Sequence, residues 1–372
     1  MANDTNLNET VVILMDDAGY IASALALLII GVLGFFLNLF VIILMLRDKQ
    51  LWTPLNIILF NLVCSDFSVS IFGNPFALLS ALAHGWIFGT MMCQIYGFFM
   101  SLLGITSITT LTVLAFERYM MVSRPFQNYI ISRRSATILV LGIWTYSLAL
   151  TVPPLVGWGK YVNEAANISC SINWETQTLN AMSYICYLFI FGLFIPVTII
   201  VFSYINIVVQ MKQNSIKMGQ VRKAEKRIAY MVLLMIILFM VAWTPYAVLA
   251  LLIQFGDASS LSPGIRVIPS LLAKSSICYN PIVYVGLNAQ FQQSWKRRKQ
   301  NSSNMSESYN ICVTKYIPQN TDSPLKIQRK LDSSVIESRG DSKRRVAHLT
   351  LPVHRDVDAN KNDGEKCEVT QV

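Results

Sequence analysis

The chain has 372 residues, of which 53% are hydrophobic and only 14% are charged. Its mean hydropathy is +0.47. This composition excludes an ordinary soluble globular protein and indicates an integral membrane protein. The net charge of +9 does not indicate a nucleic-acid partner, because basic residues concentrate in loops and in the tail. The seven cysteines are too few for a disulfide framework and fit no metal site.

Seven hydrophobic stretches are long enough to cross a bilayer as helices, and we number them spans 1 to 7. The loops expected on one side hold 16 basic residues, whereas the other side holds only Lys160 and Arg266. This asymmetry predicts a multi-pass plasma-membrane protein with its N-terminus outside the cell. The predicted spans are residues 21–46, 54–82, 91–122, 135–156, 181–210, 228–254 and 263–287.

The remaining segments have distinct compositions. Asn3 and Asn8 begin glycosylation sequons, which fits an external N-terminus. Cys93 and Cys170 would both face an oxidising compartment, so we expect a disulfide there, with two free thiols as the alternative. The predicted domains are a glycosylated N-terminus (1–20), a seven-span domain (21–287), an amphipathic helix (288–299) and a disordered tail (300–372).

Lys274 lies in the middle of span 7, seven residues before Pro281. A charged side chain at the centre of a membrane helix costs about 2.5–3.5 kcal/mol on insertion scales. One interpretation is that the lysine snorkels to the headgroups, although roughly ten residues of helix on either side oppose it. The other is that it faces an interior cavity, where a neutral amine could attack a carbonyl and form a Schiff base. We favour the second.

Other polar residues also interrupt the apolar spans. Asp66 in span 2 needs a partner, and Asn38 and Asn280 are candidates. Glu117 and Arg118 end span 3 at the predicted inner side, where such pairs are common for other reasons. Pro245 in span 6 weakens its helix and permits a hinge, while Glu225 begins that span.

This set of residues resembles the signature of the rhodopsin-like G-protein-coupled receptors, and the resemblance covers residues 21–299. It implies an all-α membrane protein, a seven-transmembrane helix bundle with a short amphipathic eighth helix. The matching residues are Asn38, Asp66, Cys93, Glu117-Arg118-Tyr119, Trp158, Cys170, Pro196, Tyr204, Trp243-Thr244-Pro245-Tyr246 and Asn280-Pro281-Ile282-Val283-Tyr284.

Within that superfamily the surroundings of Lys274 are similar to those in opsins. The chain looks most like ciliary-type opsins of the encephalopsin or teleost-multiple-tissue group, with Asn288-Ala289-Gln290 resembling their Asn-Lys-Gln. The resemblance implies retinal, the cis isomer in the dark, bound covalently to Lys274 as a Schiff base. It also implies a retinal pocket, although each of its aromatic residues could instead be core packing. The pocket residues are Tyr96, Gly104, Trp174, Phe189, Trp243, Tyr246 and Ala247.

A protonated Schiff base needs a counter-anion. Tyr96, three residues after Cys93, cannot supply a charge at neutral pH. Glu164, six residues before Cys170, matches the glutamate of non-visual and invertebrate opsins, so we predict it as the counterion, acting directly or through water. The alternative is an exposed loop glutamate. We expect Gly104 to leave room for the ring of the chromophore.

The resemblance also implies a light-driven switch that opens a cleft for a heterotrimeric G protein, with Gi/Go favoured. We expect Arg118 to pair with Glu117 and Glu225 in the dark, and Asn38 and Asp66 to form a sodium or polar network. We further expect a bistable photoproduct, receptor kinase and arrestin acting at the serine-rich tail, and surrounding membrane lipids. The remaining switch residues are Tyr119, Tyr204, Asn280, Pro281 and Tyr284.

Two other functions fit parts of the sequence. A retinal photoisomerase would use the same lysine, but the intact Glu117-Arg118-Tyr119 sequence favours signalling over catalysis. A receptor for a diffusible ligand would leave Lys274 coincidental, and an amine receptor would need an aspartate near Ser101 that the chain lacks. We therefore expect a receptor with no catalytic residues.

Overall fold

The computed structural model describes residues 15–123, 131–213, 220–256, 261–316, 346–349 and 367–370. The predicted glycosylation acceptors Asn3 and Asn8 lie outside the described residues. The chain divides into two compact units, Met1–Phe291 and Gln292–Val372.

The first unit contains seven helical spans. Span 1 is α1 (Asp17–Arg47). Span 2 consists of α2 (Pro54–Ser68) and α3 (Asn74–Leu82), joined by a π-helical turn at Val69–Gly73. Span 3 is α4 (Gly89–Ser123), and span 4 is α5 (Arg133–Thr151). Span 5 is α6 with α7 (Leu179–Phe189 and Ile195–Gln213, joined by a π-helical turn at Ile190–Phe194), and span 6 is α8 (Gln220–Phe255). Span 7 is α9 with α10 (Pro263–Ser275 and Tyr279–Leu287, joined by a 3₁₀ turn at Ser276–Cys278).

Five of these spans, 1, 2, 3, 5 and 6, are helices long and apolar enough to cross a membrane by themselves. Span 4, with 19 residues, is long enough but less apolar, since it begins with Arg133 and Arg134, and the 3₁₀ turn divides span 7 into shorter helices. Both lie at the predicted positions, so the described residues form the seven-helix bundle that the sequence predicts.

Some predicted boundaries were wrong. Span 1 begins at Asp17 rather than at residue 21, because the Asp16 carboxylate accepts a hydrogen bond of 3.3 Å from Gly19 N and caps the helix. The α-helix of span 4 ends at Thr151, since Pro153 and Pro154 cannot continue it, and a 3₁₀ turn follows at Pro153–Val156. Capping and proline chemistry, rather than hydrophobicity, set these ends.

The eighth helix is also longer than predicted. α11 runs over Ala289–Tyr316, well beyond residue 299, because no glycine or proline occurs before Pro318. In the second unit β3 (Val346–Leu349) pairs with β4 (Cys367–Thr370) in an antiparallel ladder. These segments lie within the predicted disordered tail (300–372), and the rest of that tail lies outside the described residues.

A β-hairpin covers one end of the bundle. β1 (Tyr161–Asn163) pairs antiparallel with β2 (Cys170–Ile172). We call residues 161–176 the lid, and the bundle end beneath it the lid end. The predicted Cys93–Cys170 disulfide is confirmed and joins β2 to span 3. Tyr161, 3% exposed, donates a hydrogen bond of 2.7 Å to Thr151 O in span 4.

Gly97→Ala should destabilise the protein, because a Cβ there would lie 2.8 Å from Cδ1 and 3.1 Å from Cβ of the buried Tyr161. Overpacking of this kind costs about 1–3 kcal/mol. Gly142→Ala is the matched control, since that helical glycine is exposed and nothing lies within 4 Å of its missing Cβ. Thermal unfolding in detergent should show a lower melting temperature for Gly97→Ala alone. Equal melting temperatures would contradict the tight lid contact.

Candidate functional site

A cavity of about 440 Å³ lies between the lid and spans 3, 5, 6 and 7. Its wall is mostly apolar, with Lys274 and Glu164 among its few charged members. All seven residues predicted for the pocket line it: Tyr96, Gly104, Trp174, Phe189, Trp243, Tyr246 and Ala247.

The amine of Lys274 stays inside this cavity. Its Nζ donates a hydrogen bond of 2.7 Å to Oγ of Ser270, one helical turn earlier on the same face of span 7. The snorkelling interpretation is therefore wrong for this lysine. Just beyond Lys274 the helix tightens into the 3₁₀ turn, where Ser276 accepts a hydrogen bond of 3.1 Å from Nε1 of Trp243.

A tight turn carries Glu164 into the same cavity. Its backbone N–H donates to Ser169 O and its carbonyl accepts from Asn167 N, both at 2.8 Å. Asn167 has a left-handed φ of 55°, a conformation that asparagine tolerates better than most residues. The turn follows β1 directly, so the hairpin fixes where the Glu164 carboxylate lies.

One hydroxyl group links the lysine to the glutamate. Ser270 Oγ accepts from Lys274 and donates to Oε2 of Glu164 at 3.3 Å, so one side chain serves both partners. The Ser169 hydroxyl also donates to Oε2, and the Tyr246 hydroxyl donates to Oε1 at 3.0 Å. Ser270 could have been found from its spacing of four residues before Lys274, whereas no sequence signal pointed to Ser169.

Aromatic side chains form much of the remaining wall. Trp174 meets Tyr246 edge-on at 6.2 Å and donates from Nε1 to its hydroxyl at 3.3 Å. A Cβ on Gly104 would lie 2.7 Å from Cη2 of Trp243. Gly104 thus lines the cavity, and the indole of Trp243 lies in the space that its missing Cβ leaves. The expectation that this glycine leaves room for the ring of the chromophore stays a prediction.

Tyr96 also lines the cavity and is 4% exposed. Its hydroxyl has no hydrogen-bond partner among the described residues. A buried polar group without a partner is rare in native proteins.

At the end opposite the lid, Arg118 forms ion pairs with Glu117 and Glu225, the latter at 2.9 Å. The second pair joins span 3 to span 6. Tyr204 donates a hydrogen bond of 3.0 Å to Ala229 O and so joins span 5 to span 6. Tyr119 packs against Phe202 instead, with ring centroids 5.4 Å apart.

Asp66 is buried deep in the bundle and has only part of its predicted environment. Asn280 donates to its Oδ2 at 2.8 Å, and Ser107 approaches Oδ1 at 3.5 Å. Asn38 has other partners than Asp66. Its amide donates to the carbonyl of Gly34, one turn earlier in span 1, and to that of Ile277 in span 7.

Two further predicted switch residues, Pro281 and Tyr284, lie in α10. Pro281 is buried in α10, and Pro245 lies within a continuous α8 helix. The ring of Tyr284 packs 5.8 Å from that of Phe291, and its buried hydroxyl has no hydrogen-bond partner among the described residues.

Comparisons with known proteins agree with this geometry. The model of the 7 transmembrane receptor (rhodopsin family) matches residues 37–284. Pinopsin of Columba livia is 34% identical over 276 residues, 73% of this chain and 79% of that protein. The GQ-coupled rhodopsin of Mizuhopecten yessoensis is 33% identical, over 73% of this chain and 58% of that protein. The crystal structure of squid rhodopsin superposes with a TM-score of 0.71 at 29% identity, covering 86% of this chain and 93% of that one.

The chain belongs to the opsins of the rhodopsin family. It is therefore a multi-pass membrane receptor of the G-protein-coupled class. Its relatives are signalling receptors rather than enzymes, which argues against a photoisomerase.

Glu225→Gln should raise G-protein activation in the absence of light, because it removes the charge that joins spans 3 and 6 through Arg118. The Glu225 side chain is 30% exposed, so the pair contributes about 1 kcal/mol and its loss should shift a two-state equilibrium about fivefold. Nucleotide exchange on purified G protein would measure this. Lys226→Gln, a charge change at the next position, is the control and should leave the basal rate unaltered. An unaltered rate in Glu225→Gln would show that the pair does not restrain the receptor.

Proposed function

We propose that this opsin is a light-activated receptor with retinal bound covalently at Lys274. The observation that carries the proposal is the Lys274–Ser270–Glu164 chain inside an aromatic cavity. When bound, retinal supplies a polyene that absorbs visible light, changes shape on isomerisation and is held by the lysine nitrogen as a Schiff base.

The cavity fits this group. Its volume of about 440 Å³ lies in the range of about 300–1,000 Å³ that is typical of small-molecule sites. Trp174, Trp243 and Tyr246 provide flat apolar faces, and the cavity has Lys274 to form the covalent bond. The unpartnered Tyr96 hydroxyl offers a further polar contact for a bound molecule.

The polar residues around Lys274 would then stabilise the charge on its nitrogen. Glu164 places a carboxylate opposite the nitrogen of Lys274, with Ser270 bridging the two. A cation in an apolar site needs such a partner, since burial without one favours loss of the proton. Tyr246 and Ser169 hold the carboxylate in place by hydrogen bonds.

Trp243 connects the cavity to the switch. It lines the cavity, stacks on Phe239 at 5.5 Å and donates to Ser276. A change in cavity shape would therefore press on span 6 near Pro245, and the Arg118–Glu225 pair resists movement of the other end of that span. This arrangement supports a two-state switch biased from the cavity.

Purified protein incubated with cis-retinal should show a visible or near-ultraviolet absorption band that Lys274→Ala abolishes, because alanine cannot form the covalent bond. Lys49→Ala is the control for general effects of losing a lysine and should keep the band. Illumination should shift the band, and light of a second wavelength should restore it if the photoproduct is bistable. A band of equal size in Lys274→Ala would contradict the attachment site.

Glu164→Gln should move the dark absorption band at neutral pH into the near-ultraviolet, because the nitrogen of Lys274 would lose its carboxylate partner and its proton. Glu175→Gln is the control, because it makes the same substitution elsewhere in the lid. It should leave the band in place, since Glu175 pairs with Arg266 rather than with the Lys274 site. Difference spectra between pH 5 and pH 9 would measure the effect. An unshifted band in Glu164→Gln would assign the counterion to another group.

We propose coupling to Gi/Go-type proteins, on the resemblance of Asn288-Ala289-Gln290 to the ciliary encephalopsin and teleost-multiple-tissue opsins. One relative is named as GQ-coupled, so Gq is included among the G proteins to be compared. Light-driven nucleotide exchange on purified Gi, Go, transducin, Gs and Gq tests the assignment, and we expect the highest rates with Gi and Go. Higher rates with Gq or Gs would overturn it.

We also propose that the receptor lies in the plasma membrane with its lid end outside. The excess of basic residues in the opposite loops supports this orientation, as do the sequons at Asn3 and Asn8. Receptor kinase and arrestin would act on the tail serines, which include Ser302, Ser303, Ser306, Ser308, Ser333 and Ser334.

A further inference from the structure

A second, smaller cavity of about 50 Å³ lies between the lid and the lid ends of spans 6 and 7. Its lining includes polar groups of Asn163, Asn173 and Ser171 together with Arg266. One water molecule needs about 10–15 Å³ of such space and two or more polar partners. The lining also contains apolar residues, and a cavity of this size has room for water beside these polar side chains. We call it the vestibule.

The vestibule and the main cavity share a wall. Glu164, Trp174 and Tyr246 line both cavities. These three side chains form one hydrogen-bonded chain, from Trp174 Nε1 to the Tyr246 hydroxyl and on to Oε1 of Glu164. The carboxylate that faces the Lys274 amine on one side thus borders the vestibule on the other.

An ion pair lies where the vestibule meets the medium. Arg266 Nη1 contacts Glu175 Oε1 at 3.1 Å, and both residues line the vestibule. The side chain of Glu175 is 64% exposed and that of Arg266 is 16% exposed. The exposed Glu175 makes this pair weak and screened by salt. Arg266 is also held by a hydrogen bond of 3.1 Å from its Nε to Leu261 O.

Other contacts hold the lid when this pair opens. The Cys93–Cys170 disulfide fixes β2, and Tyr161 is bonded to span 4. Gln254 in span 6, 2% exposed, donates to Thr176 O at 3.4 Å. Separation of Arg266 from Glu175 would therefore uncover the vestibule without releasing the lid.

We propose that the vestibule is the route by which water and small polar solutes reach Glu164 from the lid end, and that the Arg266–Glu175 pair is its gate. The consequence for the pigment rests on the proposed function, since it takes Glu164 to be the counterion. The gate itself can be tested in the protein without retinal.

The first test measures entry into the vestibule of the retinal-free protein. Leu249 lines the vestibule but not the main cavity, so Leu249→Cys places a reporter thiol there. The probe is a neutral, water-soluble methanethiosulfonate, whose approach does not depend on the charges being changed. Protein without the added cysteine gives the background from the native thiols.

We expect Arg266→Gln or Glu175→Gln to speed labelling of this cysteine about fivefold or more. Arg266→Lys keeps the charge and should label as slowly as the parent. The double exchange Arg266→Glu with Glu175→Arg should restore slow labelling, because it rebuilds the pair in reverse. High salt should speed labelling of the parent but not of Arg266→Gln.

The second test uses the pigment formed with cis-retinal, kept in the dark with hydroxylamine. Hydroxylamine takes the chromophore as its oxime and leaves the Lys274 amine free, so loss of the band reports entry of a two-heavy-atom solute. We expect Arg266→Gln to lose its band about fivefold faster than the parent or Arg266→Lys, with the same initial spectrum.

Equal labelling rates in the parent and both single charge-removing variants would overturn the gate. Fast labelling in the charge-exchanged double variant would also overturn the gate, because the restored ion pair would then have failed to slow entry. If no pigment forms, the proposed function fails while the cysteine measurement still decides the gate. If labelling follows the pair but hydroxylamine decay does not, the vestibule does not lead to Glu164 and the proposed route is wrong.

Discussion

The structure depends on the burial of one amine. Lys274 lies inside a mostly apolar cavity, where burial disfavours a charge that has no partner. Span 7 supplies Ser270 as a partner, while Asp66 in span 2 bonds Asn280 and Ser107 instead. We therefore propose that the balancing carboxylate comes from outside the helices.

The lid satisfies that requirement. A two-stranded hairpin, the Cys93–Cys170 disulfide and a tight turn at Asn167 deliver Glu164 into the helical bundle. Because the hairpin is fixed to span 3 and span 4, the carboxylate has a defined position. The same construction leaves the small vestibule beside Glu164, so under both proposals one loop would supply the charge and control the access of the medium to it.

The sequence could predict those features that follow from hydrophobicity, charge asymmetry and spaced polar residues. These were the seven spans, the disulfide and the interior position of Lys274, whereas the pairing of Arg118 with Glu117 and Glu225 was implied by the family resemblance. Other contacts between side chains distant in sequence could not be predicted. Ser270 reaches Glu164 across 106 residues, and the indole of Trp243 fills the space beside Gly104, so only the folded chain reveals either contact. The end of α11 was missed because the prediction relied on apolar periodicity. The residues after 299 are mostly polar and show no such pattern, but they contain no glycine or proline before Pro318 that would end the helix.

The central claim is that Lys274 is the residue that carries the chromophore. Sodium borohydride added to the pigment in the dark would reduce its carbon–nitrogen double bond to a stable amine, and peptide mass spectrometry would then locate the added retinyl group. The peptide containing Lys274 should gain this mass, and peptides containing other lysines should not. A retinyl group on another lysine, with Lys274 unmodified, would contradict it.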